Sequence, residues 1–372
     1  MRKKKIIITT TAYPKSGYYE YHYFMSRLLQ QLGWQTLFVY SSPHEFIQHF
    51  PFLDHDTVLI VATTGEHYPT YINHYGCNRI IFSTFYEMFE RVILWGSLYE
   101  ENLLIITPTE WSAICLKKTY INSDINIVPL PYNVKGFQNY KKPKRNVTRF
   151  YYVGTNTFRK NLSTVLKTFM RYFAFRKDVE FYIHSINQSL RAQSIRKMVN
   201  NYRFALGYLN FQFRNTYPIK LNFTKLSSIN KVHMNGDILI SLSRGEGYHL
   251  PSVEALAWNN FPITANLGFM WYKIADIEDF GDYSIAFYKE KPVGIIIKCS
   301  RMIFIDSDDV YVSGFGRTGD FETEAIFKAY QEAFYLHKYN DNKNYYIDLN
   351  NYLLCEFEKQ FKQVLKKYEE RL

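Results

Sequence analysis

Two carboxylates, Glu246 and Glu254, bracket a glycine-flanked segment that reads Ser243-Arg244-Gly245-Glu246-Gly247-Tyr248-His249-Leu250-Pro251. Glu246 falls in a loop, and Glu254 falls one turn inside the helix that Pro251 and Ser252 open. A helix start offers unpaired N–H groups and a partial positive charge, a seat for phosphate. Carboxylates on either side of such an anion can accept hydrogen bonds from hydroxyls. Hydroxyls, phosphates, hydroxyls is the layout of a sugar joined to a nucleoside through a diphosphate. Spacing alone is equally met by an ordinary first-turn acid and a solvated loop acid. A second candidate is Gly154-Thr155-Asn156-Thr157-Phe158-Arg159-Lys160-Asn161, ahead of an apolar-periodic helix from Leu162 to Phe173. Cations at a helix start oppose its dipole unless an anion joins them, so Arg159 and Lys160 mark a second phosphate site.

The elements that must hold these residues are short and alternate in type. Ile238 to Leu242 has the composition of a buried strand, Val253 to Asn259 is the helix, and a further strand begins at Pro262. This strand–loop–helix–strand order belongs to an open α/β sheet, whose ligands sit at the strands' carboxyl ends. Val147–Val153 reads as the strand that presents Gly154, and Val179–His184 as its successor. Asn187–Leu206 and Leu226–Met234 read as helices. The first part of the chain repeats the alternation: strand Lys5–Thr11, a loop Tyr13–Gly17, helix Tyr21–Leu32 closed by Gly33, and strand Thr36–Tyr40. Strands at Thr57–Ala62, Arg79–Ser83, Leu103–Thr107 and Ile125–Val128 follow. Past Ala265 the pattern loosens; Lys298–Ile305 and Val310–Val312 look extended, and Phe321–Phe334 and Asn351–Leu372 are amphipathic helices.

At 372 residues two domains are expected, and the 47% hydrophobic content can fill two cores. The polar, basic stretch 136–148 is the expected linker between a first domain at 1–135 and a second at 149–340, with 341–372 packing back on the first. The formal charge of +11 suits phosphorylated substrates and acidic membrane surfaces, and no nucleic-acid motif accompanies it. Cys77, Cys115, Cys299 and Cys355 form no CxxC pair, as expected of free thiols in a reducing compartment. The apolar run after Met1–Lys5 is too short for a signal peptide, and no run reaches transmembrane length. The expected location is the cytoplasm, with a peripheral tendency toward the acidic inner membrane face. Two Asp-x-Asp triplets could ligate a metal. Asp54-His55-Asp56 precedes its strand and so faces the wrong end, whereas Asp306-Ser307-Asp308 follows one.

The run from Ser243 to Ala265 resembles the E-x7-E signature of retaining glycosyltransferases of the family 4 type. Glu246, Gly247, Tyr248, Leu250, Pro251, Glu254, Ala255 and Pro262 fall in place. His249 and Asn260 stand where that family usually has glycine. Likeness is strongest over 149–265 and weaker over 79–134. The resemblance implies an α/β GT-B architecture of two Rossmann-like parallel-sheet domains facing a central cleft. It implies that Lys160 and Arg159 stabilise the departing diphosphate and that Glu246 takes the sugar hydroxyls. It implies a donor site of Glu254 on the ribose with Gly245, Gly247, Tyr248, His249, Leu250 and Gly154 around it. Acceptor-side residues would be Lys15, Gly17, His67, Glu87 and Glu90. No cofactor and no metal are expected. The co-substrate would be a UDP- or GDP-sugar and the acceptor a glycan, lipid-linked or protein hydroxyl. Attack would come from the leaving-group face, with the leaving phosphate as base. Two other classes stay open: a phosphorylase- or epimerase-like enzyme on the same fold, and a degenerate transferase kept as a sugar- or nucleotide-binding module. No pyridoxal-binding lysine motif supports a phosphorylase.

Overall fold

The computed structural model describes residues 5–12, 14, 16–63, 67–84, 102–129, 142, 145–154, 156–173, 176–185, 195–201, 219–222, 229–268, 275–307, 314–339 and 349–372. Contacts divide the chain into two units, Met1–Tyr132 with Asn350–Leu372, and Asn133–Leu349.

The first unit is built on β1 (Lys5–Thr10), β2 (Gln35–Tyr40), β3 (Thr57–Ala62), β4 (Ile80–Ser83), β5 (Leu104–Thr107) and β6 (Asp124–Ile127). These form a parallel sheet in the order β2-β1-β3-β4-β5-β6. β3, β4 and β5 are buried at every position and rich in Ile, Val and Leu, as strands covered on both faces must be. The sheet carries α1 (Gly17–Gln31), α2 (Pro43–His49), α3 (Tyr68–Tyr75) and α4 (Glu110–Thr119). α1 starts earlier than its apolar periodicity indicates. Ser16 caps it, accepting from the Tyr19 N–H at 3.1 Å, so Gly17 is the first helical residue and not part of a loop.

The second unit holds β7 (Thr148–Val153), β8 (Val179–His184), β9 (Ile219–Asn222), β10 (Ile238–Ser241), β11 (Phe261–Ala265), β12 (Asp276–Asp279), β13 (Tyr283–Tyr288) and β14 (Lys291–Ile297). Their order is β12-β13-β14-β11-β10-β7-β8-β9, with β14 through β9 parallel and β12 and β13 antiparallel at one edge. The strands after Ala265 are hard to see in the sequence for physical reasons. β14 contains Pro292 and Gly294, which weaken a strand pattern, and β12 is an exposed acidic edge. The extended segment expected at 310–312 lies outside the described residues. The described hairpin pairs β15 (Arg301–Ser307) with β16 (Gly314–Asp320) as a separate two-stranded sheet.

Helices α5 (Leu162–Tyr172), α6 (Ile229–Asn235), α7 (Leu250–Ala257) and α8 (Thr323–Tyr339) belong to this unit. α5 buries Leu162, Val165, Leu166, Phe169 and Met170, a continuous stripe at helical spacing. The Phe150, Phe169, Phe173 and Tyr330 rings pack against one another edge to face, tilted or stacked. Of the expected helix 187–206, residues 195–201 are described and helical. The last helix, α9 (Leu349–Arg371), belongs to the first unit. Lys367 Nζ donates to Asp124 and Asn126 at 3.0 and 2.7 Å, and the Tyr368 hydroxyl donates to the Arg79 carbonyl at 3.2 Å. No helix among the described residues is long and apolar enough to cross a membrane.

Candidate functional site

In the second unit β7 pairs with β10 on one side and β8 on the other, so the strand order reverses between β7 and β10. The crevice beyond the carboxyl ends at such a reversal is where α/β sheets bind ligands. Both predicted phosphate-binding loops end there: 154–161 follows β7, and 242–249 follows β10.

The two loops are zipped together. The Arg244 N–H donates to the Arg159 carbonyl at 2.8 Å, and Asn161 Nδ2 donates to the Leu242 carbonyl at 3.0 Å. The Arg244 guanidinium donates to the Phe158 carbonyl at 2.7 Å, lies 4.1 Å from the centre of its ring, and reaches Asp320 at 3.5 Å. Asn161 adopts a left-handed conformation, φ 56°, which an asparagine tolerates, and this turns the chain into α5.

Within this junction Glu246, Arg159 and Lys160 meet. Lys160 Nζ and Glu246 Oε1 form a close ion pair. Arg159 Nη1 lies 3.2 Å from Glu246 Oε2 and donates to the Gly245 carbonyl at 3.0 Å. Glu246 is 3% exposed and Arg159 6%. Burial on its own would raise the Glu246 carboxyl. Lys160 and Arg159 outweigh it and hold the group well below the usual carboxylate range. The anion that the two cations require is thus supplied by the chain itself, and the triad carries one net positive charge.

The helix after the loop begins at Leu250 with Pro251 in its first turn, earlier than Val253, and ends at Ala257. His249 precedes it, buried, between Ser241 Oγ on Nε2 and Ser252 Oγ on Nδ1, both at 2.6 Å. Burial first, then Lys160 and Arg159, push its pKa down to about 4, so the ring is neutral and gives one proton while taking another. The His249 N–H donates to the Gly268 carbonyl at 3.2 Å. Gly268 itself has φ +80°, and a Cβ there would stand 2.0 Å from the Glu246 carbonyl oxygen. No other residue fits against the elbow at that point.

Glu254 lies on the far side of the same loop, 8% exposed, with Oε2 3.0 Å from His233 Nε2. Tyr248 is buried too, its phenol pushed up by burial and by Glu254. Gly154 ends β7, its N–H donating to the His184 carbonyl at 3.0 Å, and Gly247 and Leu250 lie in the elbow and at the first position of α7. The structure therefore gathers every second-unit residue expected at the site around the ends of β7 and β10. Sequence reasoning missed His233, Tyr151, Ser241 and Arg244, which support the site from behind. It also missed His184 Nδ1, Ser185 Oγ and Ser243 Oγ, buried atoms with no hydrogen-bond partner among the described residues, at and just beyond the ends of β8 and β10.

Of the acceptor-side residues, Lys15, Glu87 and Glu90 lie outside the described residues. Gly17 opens α1 and His67 precedes α3. Here too the strand order reverses, between β1 and β3. At that reversal Thr11 and Thr63 touch through their hydroxyls at 2.5 Å, and the Tyr18 hydroxyl reaches the Ser83 carbonyl at 2.6 Å. His22 Nδ1–H donates to the Tyr18 carbonyl at 2.8 Å, so Nε2 accepts from Ser83 Oγ at 2.7 Å. Asp54 accepts from the Thr57 hydroxyl at the start of β3, the end away from that reversal. Asp306 lies inside β15, opposite Phe315, and Asp308 lies outside the described residues. The first residue of that triplet therefore does not end a parallel strand. Among the described residues no cluster of three or more His, Cys, Asp and Glu side chains is arranged to hold a metal.

No protein-family model matches the sequence, and no curated protein matches it significantly. Solved structures do match. A glycosyltransferase from Rickettsia africae aligns with a TM-score of 0.64 at 12% identity, over 100% of this chain and 99% of that one. HepE from Anabaena, solved with UDP and glucose, aligns with a TM-score of 0.60 at 10% identity, over 98% of this chain and 99% of that one. The GtfA/B complex aligns with a TM-score of 0.54 at 13% identity, over 89% of this chain; the chain spans 61% of the length it matches there. Two Rossmann-like α/β units with these neighbours define the architecture. The chain has the GT-B fold.

Proposed function

We propose that the chain is a retaining glycosyltransferase that moves a sugar from a nucleoside-diphosphate donor to an acceptor hydroxyl without a metal ion. The observation that carries this reading is the Arg159–Lys160–Glu246 triad beside the ends of β7 and β10. A diphosphate arriving there meets two cations and the start of α7, and it competes with Glu246 for both. The displaced Glu246 carboxylate is then free to accept from sugar hydroxyls, while Glu254 accepts from the ribose. As the bond from the anomeric carbon to the phosphate oxygen breaks, charge builds on the diphosphate, where Lys160 and Arg159 stabilise it. The acceptor oxygen bonds to the same face of the anomeric carbon, and its proton passes to the leaving phosphate. The donor is a UDP- or GDP-sugar; the structural neighbour HepE was solved with UDP and glucose. The acceptor is a glycan, lipid-linked or protein hydroxyl. The enzyme acts in the cytoplasm, and its positive charge favours peripheral contact with acidic membrane.

The test is multiple-turnover release of nucleoside diphosphate over a panel of nucleotide sugars, in excess chelator. Turnover should persist in chelator with at least one donor and should fall roughly a hundred- to a thousandfold in Lys160→Ala. Loss of activity in chelator with rescue by manganese would overturn the metal-free mechanism, and full turnover in Lys160→Ala would move the phosphate site elsewhere. One observation favours a second reading, a nucleotide-binding module. His249 fills, with its two serine partners, a position where the resembled family has glycine. Tight binding with no turnover on any donor would select it.

A further inference from the structure

A chain of buried polar groups runs behind Glu254 and has no part in the mechanism above. Asn260 Nδ2 donates to Tyr151 Oη at 2.7 Å and to the His233 carbonyl at 2.9 Å. Tyr151 Oη lies 2.8 Å from His233 Nδ1, and His233 Nε2 lies 3.0 Å from Glu254 Oε2. His233 is 0% exposed, Tyr151 and Asn260 are 1%. The Tyr151 ring is seated against Gly236, where a Cβ would come within 2.3 Å of it.

The donors and acceptors order this chain in one direction. An amide nitrogen can only donate, so Tyr151 Oη accepts from Asn260. Burial raises the Tyr151 phenol far above its ordinary value, so it keeps its own proton, and a buried hydroxyl proton needs an acceptor. His233 Nδ1 is the acceptor within reach. With Nδ1 unprotonated, the imidazole proton sits on Nε2 and is donated to Glu254 Oε2. Glu254 Oε1 has no hydrogen-bond partner among the described residues.

We propose that Asn260, Tyr151 and His233 are positioning residues that hold one oxygen of Glu254 from behind and so aim the other at the nucleoside hydroxyls of the donor. The inference rests on the reading of Glu254 as a donor ligand. It also gives Asn260, one of the two departures from the resembled family's glycines, a definite task at the head of the relay. A network present only to fill the core would satisfy the same atoms, but it would not couple to ligand binding through Glu254.

The full chain labelled with 15N-histidine tests the relay without any substrate. His233 should show the Nε2–H tautomer, and Tyr151→Phe, which keeps the ring and removes the hydroxyl, should give a tautomer mixture. An Nδ1–H ring in the unaltered protein would overturn the relay. Titration calorimetry with UDP then tests its task. Glu254→Gln should weaken binding about 10- to 100-fold and Tyr151→Phe about 2- to 10-fold. Turnover at saturating donor should stay within about twofold in Tyr151→Phe, since the relay acts on ground-state binding. The double variant should bind no more weakly than Glu254→Gln alone. His233→Gln keeps an N–H for Glu254 and should retain more affinity than His233→Leu. Additive losses, equal losses in the two His233 variants, or unchanged affinity in Tyr151→Phe beside a weakened Glu254→Gln would each overturn the positioning role. Unchanged affinity in Glu254→Gln would overturn it through the reading of Glu254 itself, an outcome the tautomer measurement distinguishes from a missing relay.

Discussion

His249 is the residue that most distinguishes this elbow, and its environment has a consequence for stability. Its pKa is pushed down to about 4 from 6.5, mainly by burial, and burial likewise lowers His184 to about 4 and His22 to about 3. Between about 4 and 6.5 the unfolded chain takes up a proton on each ring and the folded chain does not. The stability carried by the neutral rings is therefore present above about 6.5 and is lost as pH falls through that window. Each ring contributes a slope of at most about 1.4 kcal/mol per pH unit. Glu246 acts in the same sense at lower pH: its contribution is present above about 4.3 and fades below it. Urea unfolding between pH 7 and pH 4.5 should show falling stability, and His249→Gln should flatten the fall by up to one proton's worth. A pH-independent midpoint would show that these rings are not buried neutral. The site's inner face was legible in the sequence because Glu246, His249 and Glu254 lie within a few residues of one another. Its outer support was not. Tyr151 bonds His233 across 82 residues and Asn260 across 109, pairings that no local spacing encodes.

At the scale of elements, the junction depends on the β7 and β10 loops being locked by hydrogen bonds and covered by the segment after β11. Gly268 is the contact point of that cover. Gly268→Ala places a methyl group against the Glu246 carbonyl and strains a positive φ, a combined cost of roughly 2–4 kcal/mol. Thermal unfolding of the second unit should drop accordingly, and UDP binding should weaken even where the unit stays folded. An unshifted midpoint would mean that the cover can move away freely. Fully buried apolar runs such as β3, β4 and β5, and the single apolar face of α5, were readable before Ala265; β9, α2, α3 and α4 were not. Pairing was readable only as alternation. The antiparallel pairing of β13 with β14 depends on a turn at Lys289-Glu290, both at positive φ, a conformation that their residue types do not announce.

For the whole molecule, α9 is the element that ties the far end of the chain to its beginning. Phe357, Phe361, Val364, Leu365 and Tyr368 form one buried face on the first unit. Phe361→Ala should cost about 3–5 kcal/mol. Hydrogen exchange is expected to report the loss in β5 and leave β10 of the second unit protected; equal loss in both would show that the two units unfold as one. The return of α9 also sets an order on biosynthesis. The second unit occupies one uninterrupted stretch from Asn133 to Leu349, so all of its strands have left the ribosome before the first unit receives its last helix. At roughly 5–20 residues per second, the interval is on the order of 10–40 s. During it the sheet of the first unit waits with an apolar face uncovered, so of the two units the one begun earlier is the one completed later.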